Sequence, residues 1–155
     1  MELFVDNQTD SKEIPSDLEI AGWVSAVLAI QTDDYHELGI RIINEQDSSY
    51  LNSTYRNKGG ATNILSFPCE SPAEIDIRIL GDLAICQPVV AREAMTQGKP
   101  YRSHFAHMIV HGVLHLLGYD HMVDKDAQEM EQIEIAVLAK IGIKNPYIIN
   151  EEQNS

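Results

Sequence analysis

The chain is short of three things, and each shortage excludes a class of protein. Cysteine is the first: only Cys69 and Cys86 occur, without C-x-x-C spacing. They provide no disulfide framework, and a reducing cytosol is the expected setting. Long apolar runs are the second. The apolar-rich stretches at 26–30 and 135–139 fall far below the ~18 residues a membrane span needs. The first residues, Met-Glu-Leu-Phe-Val-Asp, are acidic and carry no basic region, so no signal peptide is expected. Basic residues are the third. Eleven Lys and Arg stand against 24 Asp and Glu, a net charge of −13 that argues against a polyanionic partner.

The distribution of charge qualifies that last exclusion. Residues 1–50 hold eleven acids and two bases, and residues 116–155 hold eight and three, whereas residues 51–115 hold five acids and six bases. The acidic excess belongs to the ends. Arg56, Lys58, Arg78, Lys99 and Arg102 are the bases that could serve an anion in the middle.

With 155 residues, 44% hydrophobic, the chain suits one domain with a sizeable core. A single domain is expected over residues 1–150, with 151–155 a disordered tail. Leu3 and Val5 alternate with polar neighbours in a first strand ending at Asn7. Pro15-Ser-Asp opens a helix whose expected buried stripe is Leu18, Ala21, Val24, Ser25 and Leu28. A second strand covers 38–43. Asp47 or Ser48 can cap a short helix through Leu51 and Tyr55, which Gly59-Gly60 breaks. Strands follow over 63–67 and, around Gly81-Asp82, over 74–86. Gln87-Pro88 opens a helix ending near Gly98. Ser103 is the expected cap of the next helix, to about Leu117, and Asp124 that of the last, through Met130, Ile133, Val137 and Leu138 to Gly142. The order β-α-β-α-β-β-α-α-α indicates an α+β fold: a small mixed four-stranded sheet with about five helices. The 103–117 helix is apolar on most faces, so it belongs at the centre of the domain.

That central helix carries the chemistry. Five of the six histidines fall between His104 and His121. His111 and His115, four residues apart, lie about 40° apart around a helix axis and roughly 6 Å along it, so their imidazoles converge. Gly118 can take φ > 0, end the helix and turn His121 toward the same point. Three imidazoles around one ion make a catalytic-type zinc site with the fourth position left to solvent. Asp120 either orients a ligand imidazole or bonds its own backbone as a turn residue. His104 and His107, on the same stripe, either line the approach to the metal or hold a strand or loop in place.

The spacing His-x-x-x-His-x-x-Gly-x-x-His is that of the metzincin proteases, with one residue missing. Those enzymes place a glutamate after the first histidine as general base, and here that position is Gly112. A peptidase lacks the group that accepts the proton from the attacking water. A structural zinc would need a fourth protein ligand, for which Asp120 or Cys86 would have to reach over.

HGVLHLLGYDH, preceded by Phe105-Ala-His107, with Asn52…Tyr55-Arg56…Asn63-Ile-Leu-Ser-Phe67-Pro68 and Gly81-Asp82-Leu-Ala-Ile85 upstream, resembles the YbeY family of bacterial rRNA maturation endoribonucleases. The resemblance implies a zinc-dependent, single-strand-specific endoribonuclease of the cytoplasm. Its expected role is in 16S rRNA 3′-end maturation and ribosome quality control. It implies one Zn2+ per chain held by His111, His115 and His121, with Arg56 and His115 the catalytic residues. The implied partners are single-stranded rRNA and the ribosome or a ribosomal protein, with no membrane. One loop departs from the family pattern. Where the family reads Lys-Asp-x-Pro-Thr-Asp, this chain reads Lys58-Gly-Gly-Ala-Thr-Asn63, with two acids and a proline gone and a more flexible Gly-Gly expected.

Overall fold

The computed structural model describes residues 2–30, 37–69, 79–119 and 124–148. Strands β1 (Glu2–Asn7), β2 (Glu37–Ile43), β3 (Ile64–Pro68) and β4 (Ile79–Cys86) form one mixed sheet in the order β1-β2-β4-β3. The first three of these neighbours run parallel, and β3 closes the edge antiparallel to β4, pairing Ile64 with Ile85 and Pro68 with Gly81. Helices α1 (Asp17–Leu28), α2 (Glu45–Arg56), α3 (Gln87–Gln97), α4 (Tyr101–Leu116) and α5 (Asp124–Lys140) complete the expected element order. The part of the fourth strand expected before residue 79, and the tail expected beyond 150, lie outside the described residues.

Alternation along the strands sorts side chains into two cores. Leu38, Ile40, Ile42, Ile64, Leu83 and Ile85 face α1, α4 and α5, while Ile43, Leu65, Ala84 and Cys86 form a smaller cluster under Leu51 of α2 and Val89 of α3. Cys86 therefore belongs to a buried structural cluster.

Helix α4 is the central element: eleven of its sixteen residues are buried, and it touches α1, α3, α5, β3 and β4. Its approach to the sheet is set by Gly112. A Cβ there would stand 2.7 Å from Cδ1 of Ile64 and 2.9 Å from Cδ2 of Leu83. Ser66 Oγ donates to the Gly112 carbonyl at 3.2 Å, tying β3 to the helix at the same level.

Several expected boundaries move. The buried face of α1 is Ile20, Trp23, Val24 and Val27, while Leu18 is 84% exposed. Ser16 caps that helix through a capping box with Glu19, worth about 1 kcal/mol. The cap of α2 is Asn44, which accepts from the Asp47 amide; Ser48 is turned inward instead. This helix ends at Asn57 in the left-handed conformation (φ 57°), ahead of the glycine pair, a conformation asparagine takes at low cost. Helix α4 starts at Tyr101 with Pro100 as its cap, three residues ahead of Ser103, because the proline's fixed φ and extended ψ already present its carbonyl to the His104 amide at 3.0 Å. Asp124 stands within the first turn of α5. The bounds of α3, with Gly98 at φ 66°, agree with expectation.

The contact at position 112 yields a graded prediction. Gly112→Ala should change stability by less than about 1.5 kcal/mol, because the atoms it meets are ends of flexible side chains. Gly112→Glu should cost more than about 3 kcal/mol by driving a carboxylate into that contact. Urea unfolding of the two variants checks both figures.

Candidate functional site

The i, i+4 spacing does what helix geometry demands. Nε2 of His111 and Nε2 of His115 stand 3.1 Å apart. Two ligand nitrogens of a tetrahedral zinc, each ~2.0–2.1 Å from the ion, are separated by roughly 3.3 Å, so the pair fits that metal. Both rings open into a pocket of about 190 Å³ lined also by Arg56, Thr62, Asn63, Ile64 and Ser66. After His115 the chain turns as expected: Gly118 has φ +100°, and the Tyr119 amide donates to the Leu114 carbonyl. Asp120 and His121 lie outside the described residues. Among the described residues no group of three or more His, Cys, Asp or Glu side chains is placed to hold a metal ion.

Arg56 reaches the pocket because α2 ends there. Its exposed side chain sits in the last turn of the helix, where a cation complements the helix dipole. The loop from α2 to β3 is pinned despite Gly59-Gly60. Buried Ser48 accepts from the Thr62 amide and donates to the Thr62 carbonyl, both at 2.9 Å, and buried Asn52 donates to the Gly60 carbonyl at 3.0 Å. Of the other bases expected near an anion, Arg102 is engaged by Glu19 and lies 5.8 Å from the Trp23 ring. Among the described residues Arg56 is the cation lining the pocket.

His104 and His107 do not line it. Each is buried and bonded to a carboxylate of a neighbouring helix, and His107 Nε2 also lies 3.3 Å from the Tyr147 hydroxyl in the segment after α5. His104 Nε2 donates to Glu93 of α3 at 3.0 Å, and burial lowers its pKa in spite of that partner. Glu93 also accepts from Asn63 Nδ2 at 3.2 and 3.3 Å, which fixes the pocket wall where β3 begins. The asparagine at 63 thus suits its neighbour; an aspartate there would face a second carboxylate.

Glu134 of α5 is the residue that sequence reasoning missed. It is fully buried and accepts from Nδ1 of His111 at 2.5 Å and Nε2 of His107 at 3.0 Å, with the Tyr147 hydroxyl donating to the same oxygen as His107. Burial alone would raise its pKa, but the bonds from His107, His111 and Tyr147 outweigh that and hold it at about 2. Burial and the adjacent carboxylate push the Tyr147 hydroxyl up, so it stays a donor. A signal did exist. Glu134 falls on the stripe of Met130, Val137 and Leu138, where an acid needs a buried partner.

Comparison with known proteins gives the family. The family model described as Endoribonuclease YbeY matches residues 4–142. An Endoribonuclease YbeY of Alteromonas mediterranea is 49% identical over 148 residues, spanning 96% of this chain and 94% of that one. One of Chromohalobacter salexigens is 48% identical over 141 residues, 90% of this chain and 92% of that protein. The solution structure of TM1509 from Thermotoga maritima shares the fold, with a TM-score of 0.63, 19% identity and coverage of 90% and 89%. The chain belongs to the YbeY endoribonuclease family.

The ionised Glu134 sets a pH dependence. Its pKa in the fold lies below the ordinary 4.5, so its contribution is complete above pH 4.5 and fades as pH falls toward 2. The stability gap between wild type and Glu134→Gln should therefore shrink by roughly 3 kcal/mol over that interval. Unfolding curves of both proteins at a series of acid pH values measure it; a gap that stays constant contradicts the assignment.

Proposed function

We propose that the chain is a metal-dependent endoribonuclease that cuts single-stranded RNA at the pocket between α4 and the α2–β3 loop. The observation that carries the reading is the convergence of His111, His115 and the guanidinium-bearing Arg56 on one cavity. By its place in the motif His121 completes the ligand set with His111 and His115 for one zinc ion. The ion, when bound, supplies Lewis acidity toward a phosphoryl oxygen.

The chain's own residues do the rest. Arg56 donates to the non-bridging oxygens of the scissile phosphate and offsets the negative charge that grows there as the bond breaks. Asn63 and Ser66 are tied to Glu93 and to the Gly112 carbonyl, so they shape a firm wall rather than rearrange around substrate. A peptidase is disfavoured by more than a missing residue. A side chain at 112 would run into Ile64 and Leu83, so that position has no room for a general base.

The family resemblance supports rRNA as the substrate, with a part in 16S rRNA 3′-end maturation and ribosome quality control in the cytoplasm. No helix among the described residues is long and apolar enough to cross a membrane. With a net charge of −13 and one described cation in the pocket, few phosphate contacts are on offer to hold RNA. A ribosomal protein or the ribosome itself supplies the targeting that the RNA contact lacks.

The test is cleavage of a single-stranded RNA by pure protein. The zinc-loaded form should cut, a chelator should abolish cutting, and Arg56→Ala should lower kcat by about 100-fold or more. Intact RNA after incubation with the zinc-loaded wild type would refute the reading, as would full activity in Arg56→Ala.

A further inference from the structure

A histidine binds a metal through one ring nitrogen only if the proton sits on the other, and in water the two tautomers compete. In α4 this choice is imposed from outside the helix. Glu134 is a carboxylate and can only accept, so His111 must carry its proton on Nδ1, 2.5 Å from Glu134 Oε1. The Nε2 lone pair then faces the pocket and His115. The second carboxylate oxygen is occupied by His107 Nε2 and by the Tyr147 hydroxyl, which also lies 3.3 Å from that imidazole nitrogen. With one oxygen gripped from α4 and from Tyr147, the other has little freedom to turn away from His111.

We propose that Glu134, locked in place by His107 and Tyr147, is a positioning residue that sets the affinity of the histidine site for zinc. The inference rests on the metal site of the preceding section, but its readout is binding, so it can fail while RNA cleavage stands and the reverse. It also gives His107 a role. His107 is a brace for the carboxylate, one turn before the first ligand, and stands apart from the approach to the metal.

Glu19 supplies an internal control. It is likewise a carboxylate holding an α4 side chain, but neither it nor its partner Arg102 lines the pocket. Zinc affinity of the full chain is measured by competition with a chromogenic chelator at pH 7, for wild type, Glu134→Gln, Tyr147→Phe and Glu19→Gln. Far-ultraviolet circular dichroism of the zinc-free proteins verifies the fold.

Glu134→Gln should bind zinc about 10- to 100-fold more weakly, Tyr147→Phe several-fold more weakly, and Glu19→Gln within twofold of wild type. The d–d bands of the cobalt-substituted Glu134→Gln protein should shift, reporting a changed ligand field that mere loss of stability would leave alone. Affinity within twofold of wild type in a folded Glu134→Gln protein overturns the proposal, and so does equal weakening in Glu19→Gln. If Glu134→Gln does not fold, Tyr147→Phe decides: a loss of threefold or more supports the lock, and unchanged affinity overturns it. A wild type that binds no zinc overturns it outright.

Discussion

The site depends on how closely α4 lies on the sheet. Gly112 lets the helix settle between Ile64 and Leu83, and Ser66 fastens β3 to the carbonyl at that point. The residue before this contact and the one three beyond it, His111 and His115, are thereby carried past the edge strand into the pocket where Arg56 waits. Interiors are close-packed, so a shift of even a methylene's width would move both imidazoles relative to the arginine. The missing side chain at 112 thus has two consequences. It removes the base a peptidase would use, and it sets the distance on which the pocket is built.

Around this contact the histidine stripe is stitched to its neighbours on two sides. Glu93 of α3 takes His104, and Glu134 of α5 takes His107 and His111. Burying an ionised carboxylate is costly unless hydrogen bonds satisfy it, and Glu134 has three donors. The same bonds that hold it at about 2 fix the proton on His111. Stability and site geometry draw on one network. The acidic character of the chain also looks different from within, since Glu134 is an internal brace and the half-buried Glu93 ties α3 to α4.

Much of this was legible in the residues. The i, i+4 histidines, the turn at Gly118 and the bounds of α3 follow from backbone geometry that neighbouring residues decide locally. The central position of α4 follows from its apolar faces. What went astray depended on competition between nearby signals. Leu18 and Ile20 both sit at the start of an apolar pattern, and Trp23 packing selects the face with Ile20 inside. Ser103 and Ser48 are good caps by type, but Pro100 and Asn44 begin their helices earlier, which frees Ser48 to pin the loop that presents Arg56. Glu134 was hidden for another reason. It is 23 residues from His111, in an acid-rich segment that reads as a solvated face, and only the packing of α5 on α4 reveals its partner.

The central claim is that imidazole nitrogens alone supply the protein's side of a metal site beside Arg56. X-ray absorption at the zinc edge of the protein as purified tests it most directly. The account predicts one zinc per chain, nearest neighbours that are nitrogen and oxygen only, and the outer-sphere scattering pattern of several imidazoles, diminished when His121 is replaced by alanine. A sulfur neighbour, or a spectrum unaltered in His121→Ala, would contradict it.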